Sequence, residues 1–361
     1  MKLHIQFCCP EYKNEHGGVQ QFSYLLAQAL KHSPLTGTFE EVSFPSPSTS
    51  NEKLRFLSRF AGGALQHPDL CIFTHVGLAR IAPLLYFLNI PYWICAHGIE
   101  CWSLRRSSEA QAFLGAERVL CVSRHTRNRL VHNLPGLAHR CDLLPNHVES
   151  IPAHLTPKDD ARRRLGLALD TVLILTVSRL RDDRYKGHRE ILSALQALGP
   201  SASHVHYAIV GDGIDLVALR KEAADRQLTP RIHFLGSLSD DQRALAYDAC
   251  DAFVMPSTGE GFGIVFLEAM AHGKPILAGS VDGSVDAFDG HDCGILVNPR
   301  NPAAVALALS ELLRRLHQPP PGWSPDTLRL HVQNHFGPER QHQRINALLQ
   351  AFIQRSSPCA A

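Results

Sequence analysis

Short apolar, β-prone runs alternate with longer stretches of helical periodicity from one end of the chain to the other. That alternation is the pattern of parallel α/β sheets covered by helices. In the first half, strands are expected at residues 2–8, 41–44, 70–74, 92–96 and 118–122, with helices near 19–31, 54–66 and 78–88. A second series of strands is expected at 172–177, 206–210, 232–235, 252–255 and 276–278. Residues 149–165 lie between the two series; they are rich in charge and carry Pro152 and Pro157, so they read as a linker. The tract PPPGW at 319–323 breaks the pattern again. A last helix then places Ile345, Leu348, Leu349, Phe352 and Ile353 on one face. The pattern divides the chain into an α/β domain over 1–155, a second over 156–335 and a terminal helical segment over 336–361.

At 361 residues the chain can bury two cores. Hydrophobic residues make up 45%, charged residues 19%, and the net charge is +2, a balance that does not suggest a nucleic-acid partner. The 10 cysteines sit mostly inside apolar runs such as IQFCCP, LCIFTH and YWICAHG, without a CxxC pair. They read as buried free thiols of a reducing compartment rather than a disulfide framework. The 21 histidines form neither HExxH nor a Cys/His zinc spacing, so no metal is expected. The opening MKLHIQFCCPEY lacks the long apolar core of a signal peptide, and residues 81–96 are interrupted by Pro83, Asn89 and Pro91. A cytoplasmic protein is the expectation.

The densest chemistry lies in STGEGFGIVFLEA, residues 257–269, after the expected strand AFVM. Glu260 and Glu268 stand with seven residues between them across a glycine-rich turn that opens a helix. Free amides and the helix dipole there favour a phosphate, while the carboxylates accept hydrogen bonds from hydroxyls. Phosphate plus several hydroxyls describes a nucleotide sugar. The plainer alternative keeps Glu268 as an exposed helix residue and Glu260 as a loop charge.

Four further constellations stand at expected strand ends. HGGVQQF (16–22) sets adjacent glycines at a helix start, either for phosphate approach or as an ordinary βα turn. AHGIE (96–100) puts His97 at the carboxyl end of a strand, where open α/β sheets bind ligands; a structurally satisfied histidine is the alternative. LTVSRLRDDRYKGH (175–188) offers Arg179 and Lys186, two cations able to neutralise a departing diphosphate or, in the plain reading, ordinary surface charge. The residues Asp182, Asp183 and Arg184 within it read as solvated. VGDG (210–213) lacks the full GxGxxG fingerprint, which argues against a dehydrogenase.

The stretch MPSTGEGFGIVFLEAMAHGKPILAG resembles the Glu-x7-Glu region of retaining glycosyltransferases of family 4 (group 1), which have the GT-B fold. The other four motifs follow in that family's order, so the resemblance spans nearly the whole chain. It implies two Rossmann-like domains facing across a cleft, with a C-terminal helix crossing back to the first. It also implies a metal-independent, retaining hexosyltransferase with no cofactor, acting between a nucleoside diphosphate sugar and a glycan, glycolipid or small-molecule acceptor. A role in cell-surface polysaccharide or glycolipid synthesis would follow. Under the resemblance His97, Arg179, Lys186 and Glu260 are the catalytic set. Donor contacts fall to Gly17, Gly18, Gly211, Asp212, Gly263, Ile264, Val265 and Glu268, with Glu268 on the ribose. Glu100, Ser123 and Asn146 are weaker candidates for the acceptor side, and Gln21 departs from an acidic residue often found there. Lipid-linked acceptors of relatives keep peripheral contact with the inner face of a membrane open, through residues 52–60 and 101–106. A sugar-nucleotide epimerase, a phosphorylase, and a non-catalytic nucleotide-sugar scaffold or sensor remain as other readings.

Overall fold

The computed structural model describes residues 1–12, 17–45, 49–104, 107–181 and 184–356. The chain divides into two units, the first made of Met1–Glu149 with the chain from Phe336 on, the second of Ser150–His335.

The first unit holds β1 (Leu3–Pro10), β2 (Thr36–Phe44), β3 (Leu70–Phe73), β4 (Tyr92–Ala96), β5 (Arg118–Cys121) and β6 (Cys141–Leu143). They form one parallel sheet in the order β2-β1-β3-β4-β5-β6. Every residue of β3, β4 and β5 is buried, which explains why these strands read as unbroken apolar runs rather than alternating ones. β2 begins five residues earlier than expected because its first half, TGTFE, is polar; as an edge strand it stays partly exposed. The single helix expected at 78–88 is two short ones, Val76–Ala79 and Pro83–Phe87, the second starting on its proline. The terminal helix Pro338–Ser356 buries Ile345, Leu349 and Phe352, with Phe352 edge-on to Trp93 of β4 at 5.8 Å. Ser33 donates to Asn346 at 2.6 Å and ties the same helix to the end of the helix Gly18–Lys31.

The second unit holds β7 (Val172–Val177), β8 (Val205–Val210), β9 (Ile232–Gly236), β10 (Ala252–Met255), β11 (Ile276–Gly279) and β12 (Gly294–Val297). Its sheet, also parallel, runs β12-β11-β10-β7-β8-β9. Both units are thus Rossmann-like. β6 and β12 were not expected from the pattern: each is short, lies at a sheet edge and is only partly buried; β6 (CDL) carries an aspartate, whereas β12 (GILV) is apolar and had a readable signal. Nine cysteines are described, and all are buried and free.

The expected linker 149–165 is half wrong. Its second part is the helix Lys158–Leu165, ended by Gly166 in the left-handed region at φ +66°. The charge that suggested solvent includes Arg162, which is fully buried. Its guanidinium donates to the carbonyls of Ala249 (3.0 Å), Leu169 (2.8 Å) and Thr171 (2.9 Å) and to the Asp251 carboxylate (2.8 Å). Asp251 also accepts the Leu173 amide at 2.8 Å, joining the helix to the start of β7. Removing one side of so dry a network strands the rest. Arg162→Ala should cost about 3–5 kcal/mol, read as a lower urea midpoint; a loss under about 1 kcal/mol would mean that water replaces the guanidinium.

Candidate functional site

In the second sheet the chain runs outward from β7 to β8 and β9, then returns to the other side of β7 as β10. The loops leaving β7 and β10 therefore part in opposite directions at the carboxyl edge, where open α/β sheets bind ligands. Arg179 follows β7 directly and is exposed, with no hydrogen bond or ion pair among the described residues.

The loop after β8 nests against the loop after β7. Gly211 and Gly213 have φ of +131° and +148°, and a Cβ on either would lie 1.8 Å from the Ser178 carbonyl oxygen or 2.1 Å from that of Leu180. Only glycine fits. The Leu180 amide donates to the Asp212 carbonyl at 2.9 Å and the Ser178 amide to the Val210 carbonyl at 3.0 Å. Between the two loops lies an open pocket of about 320 Å³ lined by Arg179, Leu180, Arg181, Asp212, Gly213 and Ile214.

Lys186 forms an ion pair with Glu260 and lies over the Tyr185 ring at 4.7 Å. Burial is the largest single influence and would lower its pKa, but the Glu260 carboxylate and Tyr185 together outweigh it and raise the pKa, so the ammonium stays charged. Gly187, at φ +82°, lets this loop press on the end of β10, since a Cβ there would meet the Pro256 carbonyl oxygen at 2.4 Å. Glu260 itself is set by Asp282, which is 2% exposed. The Asp282 carboxylate accepts the Glu260 amide (2.8 Å), the Ser257 hydroxyl (2.7 Å) and the Ser284 amide (3.0 Å). Burial raises the Asp282 pKa against the pull of these donors.

The helix Ile264–Ala271 opens on Gly263, at φ +84°, with no side chain capping its first turn. The amides of Ile264 and Val265 therefore stand at an uncapped, positive helix start. Glu268, one turn on, accepts the Tyr247 hydroxyl at 2.6 Å and has the Arg243 Nε at 4.0 Å. Burial and the Glu268 charge push the Tyr247 pKa well up, which keeps it a donor.

The remaining expected residues lie in the first unit. His97 Nε2 is 2.6 Å from the Thr74 carbonyl oxygen, and the ring meets Phe22 edge-on at 4.7 Å. Burial lowers its pKa against the Glu100 charge. A neutral imidazole donating from Nε2 has its acceptor lone pair on Nδ1. The Glu100 carboxylate accepts the amides of His97 (2.8 Å) and Gly98 (2.9 Å), so it shapes the turn that carries His97. Ser123 is the N-cap of the helix Arg124–Asn133, accepting the Thr126 amide at 3.0 Å. Asn146 is buried with its Oδ1 lacking a hydrogen-bond partner among the described residues. Gly17 caps the helix Gly18–Lys31; a Cβ on Gly18 would meet nothing within 4 Å, so glycine is not sterically demanded there. His16, Arg105, Arg106, Asp182 and Asp183 lie outside the described residues.

Sequence reasoning missed Asp282, Tyr247 and His188. Asp282 had a readable signal, an Asp-Gly-Ser turn opening the short helix Gly283–Ala287. Tyr247 had none, being 21 residues before its partner. His188 lies 2.9 Å from both the Ser178 hydroxyl and the Tyr207 hydroxyl, and so links the Lys186 loop to β7 and β8.

Residues 157–317 match the family model of the glycosyl transferases group 1. The group 1 part of the resemblance read from the sequence is thus matched over that region of the second unit. The chain is 31% identical over 230 residues to a GDP-mannose-dependent alpha-(1-6)-phosphatidylinositol monomannoside mannosyltransferase of Mycobacterium tuberculosis, covering 60% of this chain and 59% of that relative. It is 29% identical over 262 residues to a D-inositol 3-phosphate glycosyltransferase of Geodermatophilus obscurus, covering 70% and 56%. The matches thus span under three fifths of these relatives' length. Among solved structures, Anabaena Alr3699/HepE in complex with UDP superposes with a TM-score of 0.77 at 20% identity, covering 97% of this chain and 100% of that one. Sucrose-phosphate synthase from Thermosynechococcus elongatus gives 0.77 at 19%, covering 98% and 99%. The fold is GT-B.

Burial and the Lys186 charge push His188 down to about 4. An unfolded histidine titrates near about 6.5. Below that pH the unfolded chain takes up a proton that the folded one refuses, so stability falls as pH drops from 6.5 toward 4. Above 6.5 the contribution is complete. Between pH 6.5 and 5 the wild type should lose about 2 kcal/mol more than His188→Gln in urea unfolding. Equal losses would mean that His188 takes up its proton in the folded state.

Proposed function

We propose that this chain is a retaining glycosyltransferase that moves a hexose from a nucleoside diphosphate sugar to a glycan, glycolipid or small-molecule acceptor. The observation that carries the reading is the convergence at one sheet edge of Arg179, the Lys186–Glu260 pair, an uncapped helix start and Glu268. Two cations and free amides suit a diphosphate. A carboxylate beside them suits vicinal ribose hydroxyls, and the pocket by Arg179 and Asp212, with the apolar Ile214 at its rim, suits the base.

In this reading the bond from the anomeric carbon to the diphosphate oxygen breaks, and its electron pair leaves with the diphosphate. Arg179, Lys186 and the amides of Gly263, Ile264 and Val265 stabilise that charge as it grows. The acceptor oxygen attacks from the same face and gives its proton to the departing phosphate. Glu260 and the Nδ1 of His97 orient the hexose hydroxyls, and Glu100, Ser123 and Asn146 belong to the acceptor side. The charge is handled by side chains and amides, so the chemistry requires no divalent metal. Relatives named for GDP-mannose and neighbours bound to UDP make both bases worth testing here. A role in surface polysaccharide or glycolipid synthesis, at the inner face of a membrane, completes the proposal.

A thermal-shift panel of UDP, GDP, ADP and their sugars should give one selective stabilisation that Glu268→Ala abolishes. Arg179→Ala should instead lower kcat by about 100-fold with little change in donor affinity. Wild-type kinetics in both variants would refute the donor site, and activity lost with EDTA and restored by magnesium would refute the metal-free mechanism. Donor interconversion without acceptor would indicate an epimerase, consumption of free phosphate a phosphorylase, and tight binding without turnover a sensor.

A membrane partner has its own support. The helix Ser50–Ala64 exposes Lys53, Leu54, Arg55 and Leu57 around the buried Phe56 and Phe60. Tyr86 and Phe87, in the same unit, are each 81% exposed. No helix among the described residues is long and apolar enough to cross a membrane. Co-sedimentation with phosphatidylglycerol vesicles should therefore be salt-sensitive and fall in the double variant Lys53→Glu, Arg55→Glu; no sedimentation of the wild type would remove the membrane from the proposal.

A further inference from the structure

Away from the donor residues, the second unit gathers three histidines that the proposed chemistry does not use. His331 and His335 stand four residues apart on the helix Pro325–Phe336, hence on one face. His291 comes from the loop that follows the short helix Gly283–Ala287. One ring nitrogen from each lies within 4.8 Å of the others, and the ring centroids are 4.7, 4.8 and 5.0 Å apart.

We propose that His291, His331 and His335 bind a late first-row divalent cation, Zn²⁺ foremost. A tetrahedral site with Zn–N of about 2.0–2.1 Å sets its nitrogens about 3.3–3.4 Å apart. The three nitrogens lie within 4.8 Å of one another, so the rings would draw together by up to about 1.4 Å around an ion. The surroundings are those of a ligand set rather than a chance stack. His335 Nδ1 is 3.0 Å from the Asp289 carboxylate, and His331 Nε2 is 3.1 Å from the Ala287 carbonyl oxygen. Each contact fixes a tautomer, assigning the lone pair to Nε2 of His335 and to Nδ1 of His331. Three imidazoles with a fourth position for water suit Zn²⁺, Co²⁺ or Ni²⁺ and do not suit Mg²⁺ or Ca²⁺.

A cation there would clamp the helix Pro325–Phe336 onto the loop after the Gly283–Ala287 turn. Asp282, which sets Glu260, stands at the start of that turn. The site is thus a staple for the segment behind the donor residues, and it holds whether or not transfer is the activity.

The test uses the untagged full chain stripped with EDTA and titrated with Zn²⁺, Co²⁺ and Mg²⁺. One equivalent of Zn²⁺ should bind and raise Tm, Co²⁺ should develop visible bands of a low-coordinate nitrogen site, and Mg²⁺ should do neither. His291→Ala, which changes an exposed residue, should weaken Zn²⁺ by about 100-fold or more, and Asp289→Asn by about 10-fold. Absence of saturable one-equivalent uptake at micromolar Zn²⁺, or unchanged uptake in the His291→Ala, His335→Ala double variant, would overturn the proposal.

Discussion

The second unit depends on a constraint of backbone contact: three loops at one sheet edge must touch where side chains have no room. Gly187, Gly211 and Gly213 each bring a positive-φ backbone against a carbonyl oxygen of a neighbouring loop. At Gly211 the clearance left for a Cβ is 1.8 Å, half an ordinary contact, so the fit admits no substitution without moving β7 or β8. This closeness brings Arg179 and Asp212 to one pocket although they come from different loops, with Lys186 further along the loop that carries Arg179. A charge placed on such a nested, hydrogen-bonded frame needs little reorganisation to meet an anion, which is the condition for electrostatic stabilisation of a leaving group.

The second layer of order is polar. Asp282 is nearly dry and holds the Glu260 amide and the Ser257 hydroxyl, so one carboxylate shapes the loop after β10 alongside the buried Phe262. His188 does the same for the Lys186 loop through Ser178 and Tyr207, and Tyr207 passes the connection to Thr176 inside β7. Neither network touches the proposed ligand. Both convert burial into positional precision, because a buried donor or acceptor left unpaired would cost more than the loop's freedom returns.

The sheets were legible because buried parallel strands are written as uninterrupted apolar runs, as in YWICA and AFVM. The turn carrying Glu260 and Glu268 was legible because glycine turns and paired carboxylates are local in sequence. What escaped was non-local or edge-like. β6 is a half-exposed edge strand of three residues with an aspartate at its centre. Arg162 belongs to a charged run, KDDARRRL, that reads as solvent until three carbonyls and Asp251 are brought around it. Tyr247 meets Glu268 only through the packing of two helices. The histidine trio shows the same limit in reverse: HVQNH offered a helical pair at i, i+4, but the third member arrives from 40 residues earlier.

These features join at the turn Gly283–Ala287. On one side Asp282 and the Gly283 amide, which donates to the Glu260 carbonyl at 2.8 Å, fix the carboxylate paired with Lys186. On the other side the Ala287 carbonyl lies against His331, and Asp289 against His335. Ala287 and Asp289, which orient the histidines, therefore lie only five and seven positions after Asp282, which sets the Lys186–Glu260 pair. A change in how the helix Pro325–Phe336 holds this turn reaches Glu260 through this short piece of chain and then the hydrogen bonds of Asp282 and Gly283. Gly283 packs its backbone directly on that of Gly261, where a Cβ would meet the carbonyl oxygen at 2.0 Å, so the turn and the Glu260 loop are in contact with no side chain between them.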